Sequence, residues 1–240
     1  MGFINYSDPS PWIWIFNNEG KKVMWFENPK CASTSIKKFI GYPKFGYPGY
    51  TEEYRFKIKM LKNKPAWNVN QVPPEKEEKI ITTVNEHEEL SKMYKFGICR
   101  DPYRRIVSNY RMVIKWPIKS GQNEKLVKKI EKEGLRFDEF IDNVVSEKWK
   151  NHHWAPQHFF LPLEKIKIDR IFRLEKLAKD FQLIFDKLGV DDKELEYVSP
   201  IPHHKLVVYD LGGYLKNKET VRKIEEYYVK DFELYEGVDA

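Results

Sequence analysis

Two apolar runs stand out at the start of the chain: "WIWIF", residues 12–16, and "VMWF", residues 23–26, on either side of Asn17-Asn18-Glu19-Gly20. Aromatic and β-branched residues flanking an Asn/Gly turn predict a β-hairpin. The second run has no polar position, as in a strand buried on both faces. It ends at Pro29 and Lys30, and "SIKKFI" then starts a helix that Gly41, Pro43, Gly46, Pro48 and Gly49 break. "TEEYRFKIKMLK" (51–62) predicts a helix, 65–78 a loop with three prolines, "KIITTV" (79–84) a strand and "NEHEELSKMY" (85–94) a short helix. A second apolar strand, "KFGIC" (95–99), leads into the helix "RDPYRRIVSNYRMVIKW", with Asp101 as its N-cap and Pro102 in its first position. Amphipathic helices follow at 123–134 and 136–149, then the loop "NHHWAPQHFF" (151–160). A third strand, "DRIFRL" (169–174), precedes a helix closed by Gly189. After an irregular stretch at 199–213, a terminal helix spans 218–235.

Strands alternating with helices, without repeats or a linker, predict one α/β domain over residues 1–240 with a mostly parallel sheet. Ligands of such sheets bind at the carboxyl ends of the strands. A net charge of +6 favours an anionic partner: nucleic acid, an anionic glycan or lipid surface, or a nucleotide. The two cysteines, Cys31 and Cys99, form neither a disulfide framework nor a zinc pattern and suit a reducing compartment. "PWIWIF" is too short to span a bilayer, no signal segment is legible, and Tyr6 stands where a myristoylation motif needs Ser or Thr. The expectation is a soluble, cytoplasmic protein, with a trimmed form of a Golgi-anchored one as the alternative.

Two motifs carry chemistry. In Pro29-Lys30-Cys31-Ala32-Ser33-Thr34-Ser35 a strand ends and a helix begins, where free backbone N–H groups and the helix dipole favour an anion. Lys30 adds a charge that would oppose the dipole without one, and the hydroxyls add donors. No glycine occurs from Asn28 to Phe39, so this is not the GxxxxGK[ST] loop of nucleoside-triphosphate enzymes. The second motif runs from Arg100 to Ser108. Three arginines at the positive end of a helix also call for an anion, and Arg105 and Ser108, three apart, share a face as a phosphate clamp would. In a parallel sheet both motifs lie on one rim and suit a ligand with two separate anionic groups.

Together the motifs resemble the sulfotransferases that use 3′-phosphoadenosine 5′-phosphosulfate (PAPS), and most of all the carbohydrate branch, family 2. "PKCASTSI" resembles the 5′-phosphosulfate loop, and "RDPYRRIVSNYR" the 3′-phosphate motif R-[DNE]-P-x-x-R-x-x-S-x-Y. "HWAPQ" with "IFRLEKL" resembles a segment of the glycan-sulfating branch, and "YYVKDFELYEG" the closing helix. The resemblance implies a three-layer sandwich around a mostly parallel sheet, related to the P-loop nucleotide kinases. It implies transfer of a sulfuryl group from PAPS to an acceptor hydroxyl, on a carbohydrate or glycan. Lys30 would contact the phosphosulfate and stabilise charge on the bridging oxygen. The backbone N–H groups of Ala32 to Ser35, with the Ser33, Thr34 and Ser35 hydroxyls, would hold the 5′-phosphate, with Cys31 in the same cofactor-binding loop. Arg100, Ser108 and Arg105 would serve the 3′-phosphate. His204 and Lys205, beside His203, fall where relatives close a loop over the cofactor.

The acceptor hydroxyl needs a base. His87 lies between the two motifs, where some relatives carry it; His153 lies in the segment like the glycan branch. Both stay open, and His158 reads as structural. No metal-ligand spacing occurs. Two other readings compete. A phosphoryl-transfer enzyme on a related fold would require Mg²⁺, and a non-catalytic polyanion or nucleic-acid binder would lose affinity steeply with salt.

Overall fold

The computed structural model describes residues 12–18, 20–33, 36, 81–82, 84–115, 124–149, 151–189 and 210–238. Its sheet runs β1 (Trp12–Asn18), β2 (Lys21–Glu27), β3 (Tyr94–Cys99), β4 (Arg170–Arg173), neighbours in that order. The helices described are α1 (Glu88–Lys92), α2 (Pro102–Lys115), α3 (Glu124–Glu133), α4 (Phe137–Val145), α5 (Leu177–Leu188), α6 (Lys218–Tyr227) and α7 (Val229–Gly237). Short 3-10 turns occur at Gln157–Phe159 and Leu174–Lys176.

β1 and β2 form the expected antiparallel hairpin, with Asn18 opposite Lys21. Two residues remain for the turn, and Gly20 there takes φ 89°, which glycine adopts without a Cβ clash. β2–β3 and β3–β4 are parallel, so the sheet is mixed, with β1 as the antiparallel strand. The parallel strands β2, β3 and β4 therefore end on one rim.

Val23, Met24, Trp25 and Phe26 are all fully buried, because the sheet is covered on both faces. Val23 and Trp25, with Phe96, Ile98 and Phe172, pack on Leu177, Phe181, Ile184 and Leu188 of α5. Those α5 positions recur at helical spacing, so they form one stripe. Met24 and Phe26 pack on the opposite face with Val84, Leu90, Leu161 and Ile166. In β3, Gly97 admits this covering layer: a Cβ there would lie 2.5 Å from Leu161 Cδ2 and 2.9 Å from Ile171 Cδ1. A third cluster joins α2, α4 and α6 through Ile106, Val113, Phe140, Val144, Trp154 and Ile224.

Asp101 caps α2 as expected, its Oδ1 accepting the N–H of Arg104 at 2.8 Å. Two expectations are corrected. In the segment read as a strand, 79–84, the described residues Ile81, Thr82 and Val84 are helical. Ile81 and Val84, three apart, bury one helical face, and this packing overrides the β-branched composition. The terminal helix is two helices, broken at Tyr228 (φ −106°, ψ 22°), whose buried hydroxyl donates to Trp154 O at 2.5 Å. The helix predicted at 35–40, apart from Ile36, the helix at 51–62, the loop at 65–78 and residues 199–209 of the irregular stretch lie outside the described residues.

Candidate active site

The loop after β2 is strained. Lys30 has φ 67° and Ala32 φ 63°, in the left-handed region that a side chain disfavours. Each such residue costs about 1–3 kcal/mol and persists only where its surroundings fix it. Here the fixing bonds are visible. Cys31 N–H and Ser33 Oγ donate to the carbonyl of Asn28 at 3.2 and 3.3 Å. Ile36 N–H donates to Ala32 O at 2.9 Å, closing the turn into the following helix. The second motif then grips the same loop: Arg105 Nε donates to Pro29 O at 3.1 Å, and Arg100 Nη1 to Lys30 O at 3.3 Å. The two cationic strand ends are thus one structure.

Three cations crowd this rim. Arg100 is 9% exposed and Arg105 2%. The Lys30 ammonium, 3.7 Å from Met112 Sδ, is drawn down to about 8 by burial and then by Arg100 and Arg105. Nη2 of Arg105 is buried with no hydrogen-bond partner among the described residues. An orphaned cationic donor is costly, and an anion or a water is what satisfies it. Ser108 is also buried, one turn beyond Arg105. Cys31 turns its thiol inward to Gln157 Oε1 at 3.3 Å, and burial pushes that thiol up to about 12. Burial pushes the Cys99 thiol up as well, so neither presents a thiolate for redox chemistry. Cys31 thus spends its backbone N–H on Asn28 O and its thiol on Gln157, and its part in the loop is to hold the turn. Thr34, Ser35, His203, His204 and Lys205 lie outside the described residues.

The two candidate bases are far apart. His87 is exposed, just before α1, and the neighbouring Glu89 pairs with Lys22 at the amino end of β2. That is the end of β2 opposite Lys30. His153 belongs to the cationic rim: burial, His152, Lys30 and Arg105, in that order, push its imidazole down to about 2. Its ring lies 4.0 Å from that of His152, itself lowered to about 4 by burial and Arg105. Asn151 Oδ1 accepts the backbone N–H of His153 at 2.9 Å and lies 2.8 Å from its Nδ1. Since that oxygen accepts, Nδ1 carries the proton and Nε2 keeps its lone pair.

Sequence reasoning missed Gln157. It is fully buried between the motifs, its amide bonded to Arg100 N and O at 2.9 and 2.8 Å and to Asn28 Nδ2 at 2.9 Å. Its own N–H donates to Asp231 Oδ2 at 2.7 Å. His158 also reaches Asp231, through N–H at 3.1 Å and Nδ1 at 3.0 Å, in keeping with a structural role. The only sequence signal was that "HWAPQ" and "YYVKDF" both resembled family segments.

The sulfotransferase family model, family 2, matches residues 15–236 and so spans both motifs, the histidine segment and Asp231. The chain belongs to the sulfotransferase family. No curated protein and no solved structure matches it. Among the described residues of this sulfotransferase, no cluster of His, Cys, Asp and Glu could hold a metal ion. No described helix is long and apolar enough to cross a membrane.

Proposed function

We propose that this sulfotransferase takes PAPS as donor and passes its sulfuryl group to a hydroxyl, on a carbohydrate or glycan. The observation that carries the reading is the pair of bonds from Arg105 and Arg100 to the Pro29 and Lys30 carbonyls. They bring a strained strand-to-helix loop and an arginine-headed helix into one cationic rim, suited to a ligand with two anionic ends. The orphaned Nη2 of Arg105 fits such a ligand. Helices packed on a sheet with two parallel pairings support the three-layer, nucleotide-kinase-like arrangement, and the span of the family match supports a single domain. The likeness of the His153 segment to the glycan-sulfating branch supports the acceptor class.

PAPS, when bound, supplies an activated sulfuryl group with adenosine 3′,5′-bisphosphate as its leaving group. The backbone N–H groups of Ala32, Ser33, Thr34 and Ser35, with the Thr34 and Ser35 hydroxyls, would hold the 5′-phosphate, while Cys31 N–H and Ser33 Oγ stay on the Asn28 carbonyl beneath. Arg100 and Ser108 would hold the 3′-phosphate, with Arg105 bracing the loop beneath and His204 and Lys205 closing over it. Lys30 would offset charge gathering on the bridging oxygen, and His153 Nε2 would take the acceptor's proton. His87 would take no part.

Calorimetric titration without metal tests the donor. Adenosine 3′,5′-bisphosphate is expected to bind well ahead of AMP and ATP, whereas preference for ATP would replace the donor with a nucleoside triphosphate. Arg100→Ala should weaken the bisphosphate by about ten- to a hundredfold, the scale of a lost charge-assisted contact. Unchanged affinity would remove Arg100 from the 3′-phosphate site.

Lys30 also sets a pH dependence. A group lowered to about 8 is protonated below that pH and loses its charge as pH rises through it. Because the charged form acts, kcat/KM for the donor should fall about tenfold per pH unit above about 8. Activity retained by Lys30→Arg should lack this limb; its persistence in that variant would assign it to another group.

A further inference from the structure

We infer that Gln157, held by Asp231, is a positioning residue that sets the two phosphate-binding segments in register, which makes α7 part of the donor site. The inference rests on the donor reading above. One oxygen, Gln157 Oε1, accepts from Arg100 N at 2.9 Å, from Asn28 Nδ2 at 2.9 Å and from Cys31 Sγ at 3.3 Å. Those donors come from both motifs, so their separation is measured at a single atom. Nε2 of the same amide donates to Arg100 O at 2.8 Å. Both backbone groups of Arg100 are thereby held, as a neighbouring strand would hold them, at the point where β3 has ended. Asn28 reinforces the link by donating to Ile98 O at 3.1 Å. A side chain that only filled space would not need an amide, whereas a buried amide bonded through both its oxygen and its nitrogen specifies one arrangement.

The amide is fixed in turn from α7. Asp231 is fully buried; one oxygen takes Gln157 N–H at 2.7 Å, and the other takes His158 N–H and Nδ1 at 3.1 and 3.0 Å. The far end of α7 is pinned to the same rim. Arg173, the last residue of β4, donates from Nε and Nη2 to Tyr235 O at 3.1 and 2.7 Å, and from Nη2 to Glu236 O at 3.2 Å. A helix anchored at both ends beside the strand termini holds Gln157 still. Either phosphate could bind alone without this register, but both together require it.

The readout is the gain in affinity that the 3′-phosphate confers, the ratio of the dissociation constants of AMP and adenosine 3′,5′-bisphosphate. Calorimetry reports it per folded molecule, because the stoichiometry counts the folded fraction. In Gln157→Met the ratio is expected to fall about tenfold, as for residues coupled through one network. Asp231→Asn should lower it in the same direction, and it carries the test where Gln157→Met does not fold. A purely structural role would lower the stoichiometry and the melting temperature and leave the ratio unchanged, which would overturn the inference alone. A parent protein with no 3′-phosphate gain would overturn the donor reading, and this inference with it.

Discussion

Lys30→Ala is expected to cut turnover about a hundred- to a thousandfold, the range seen when one preorganised electrostatic contact to developing charge is removed. Affinity for adenosine 3′,5′-bisphosphate should change far less. The difference follows from when the charge appears. In the bound donor the bridging oxygen shares its charge, and as the S–O bond lengthens that oxygen gathers it. An ammonium drawn down to about 8 has already lost much of its water, so its field is little screened. Two features hold it in place: the left-handed backbone at Lys30 itself and the Arg100 bond to its carbonyl. Single-turnover rates beside calorimetric affinities separate the effects. Equal losses in both would reduce Lys30 to a binding group.

The parts of this site that could be read from sequence are those whose cause is local. A strand buried on both faces shows as an unbroken apolar run, and Val23 to Phe26 are fully buried. Asp101 before Pro102 signals a helix start because capping acts over three residues, and the Asp101–Arg104 bond bears this out. A lysine and three arginines at helix starts are electrostatically costly without an anion, which drew attention to both motifs. What was not legible depends on pairing across the chain. Gln157 bonds to residues 57 and 129 positions away, and its sequence neighbours give no sign that it is buried. Isoleucine, threonine and valine at 79–84 read as a strand, yet Ile81 and Val84 bury a helical face against Met24 and Phe26. The left-handed φ of Lys30 and Ala32 also had no signal, because glycine is the usual mark of that conformation. The choice between His87 and His153 needed the sheet: both sit near acidic or aromatic neighbours in sequence, but only one faces the carboxyl rim.

His153→Gln should lower kcat by about a hundred- to ten-thousandfold, the span of a lost general base, with bisphosphate affinity little changed. The geometry prepares the ring for that role. Asn151 fixes the proton on Nδ1, leaving the Nε2 lone pair to accept one. Burial, then His152, and then the charges of Lys30 and Arg105 push the free ring down to about 2, where it is neutral but a poor base. A donor carrying phosphate and sulfuryl oxygens would offset the Lys30 and Arg105 charges and raise its proton affinity, so the base would strengthen once the donor is bound. Hydroxyl deprotonation would then be tied to the presence of the group that uses it. The kcat profile should therefore show an acid limb that disappears in His153→Gln, while His87→Gln keeps both rate and limb. Should His153→Gln keep its turnover within about threefold of the parent, a loss too small for a general base, the proton would have to leave by another group.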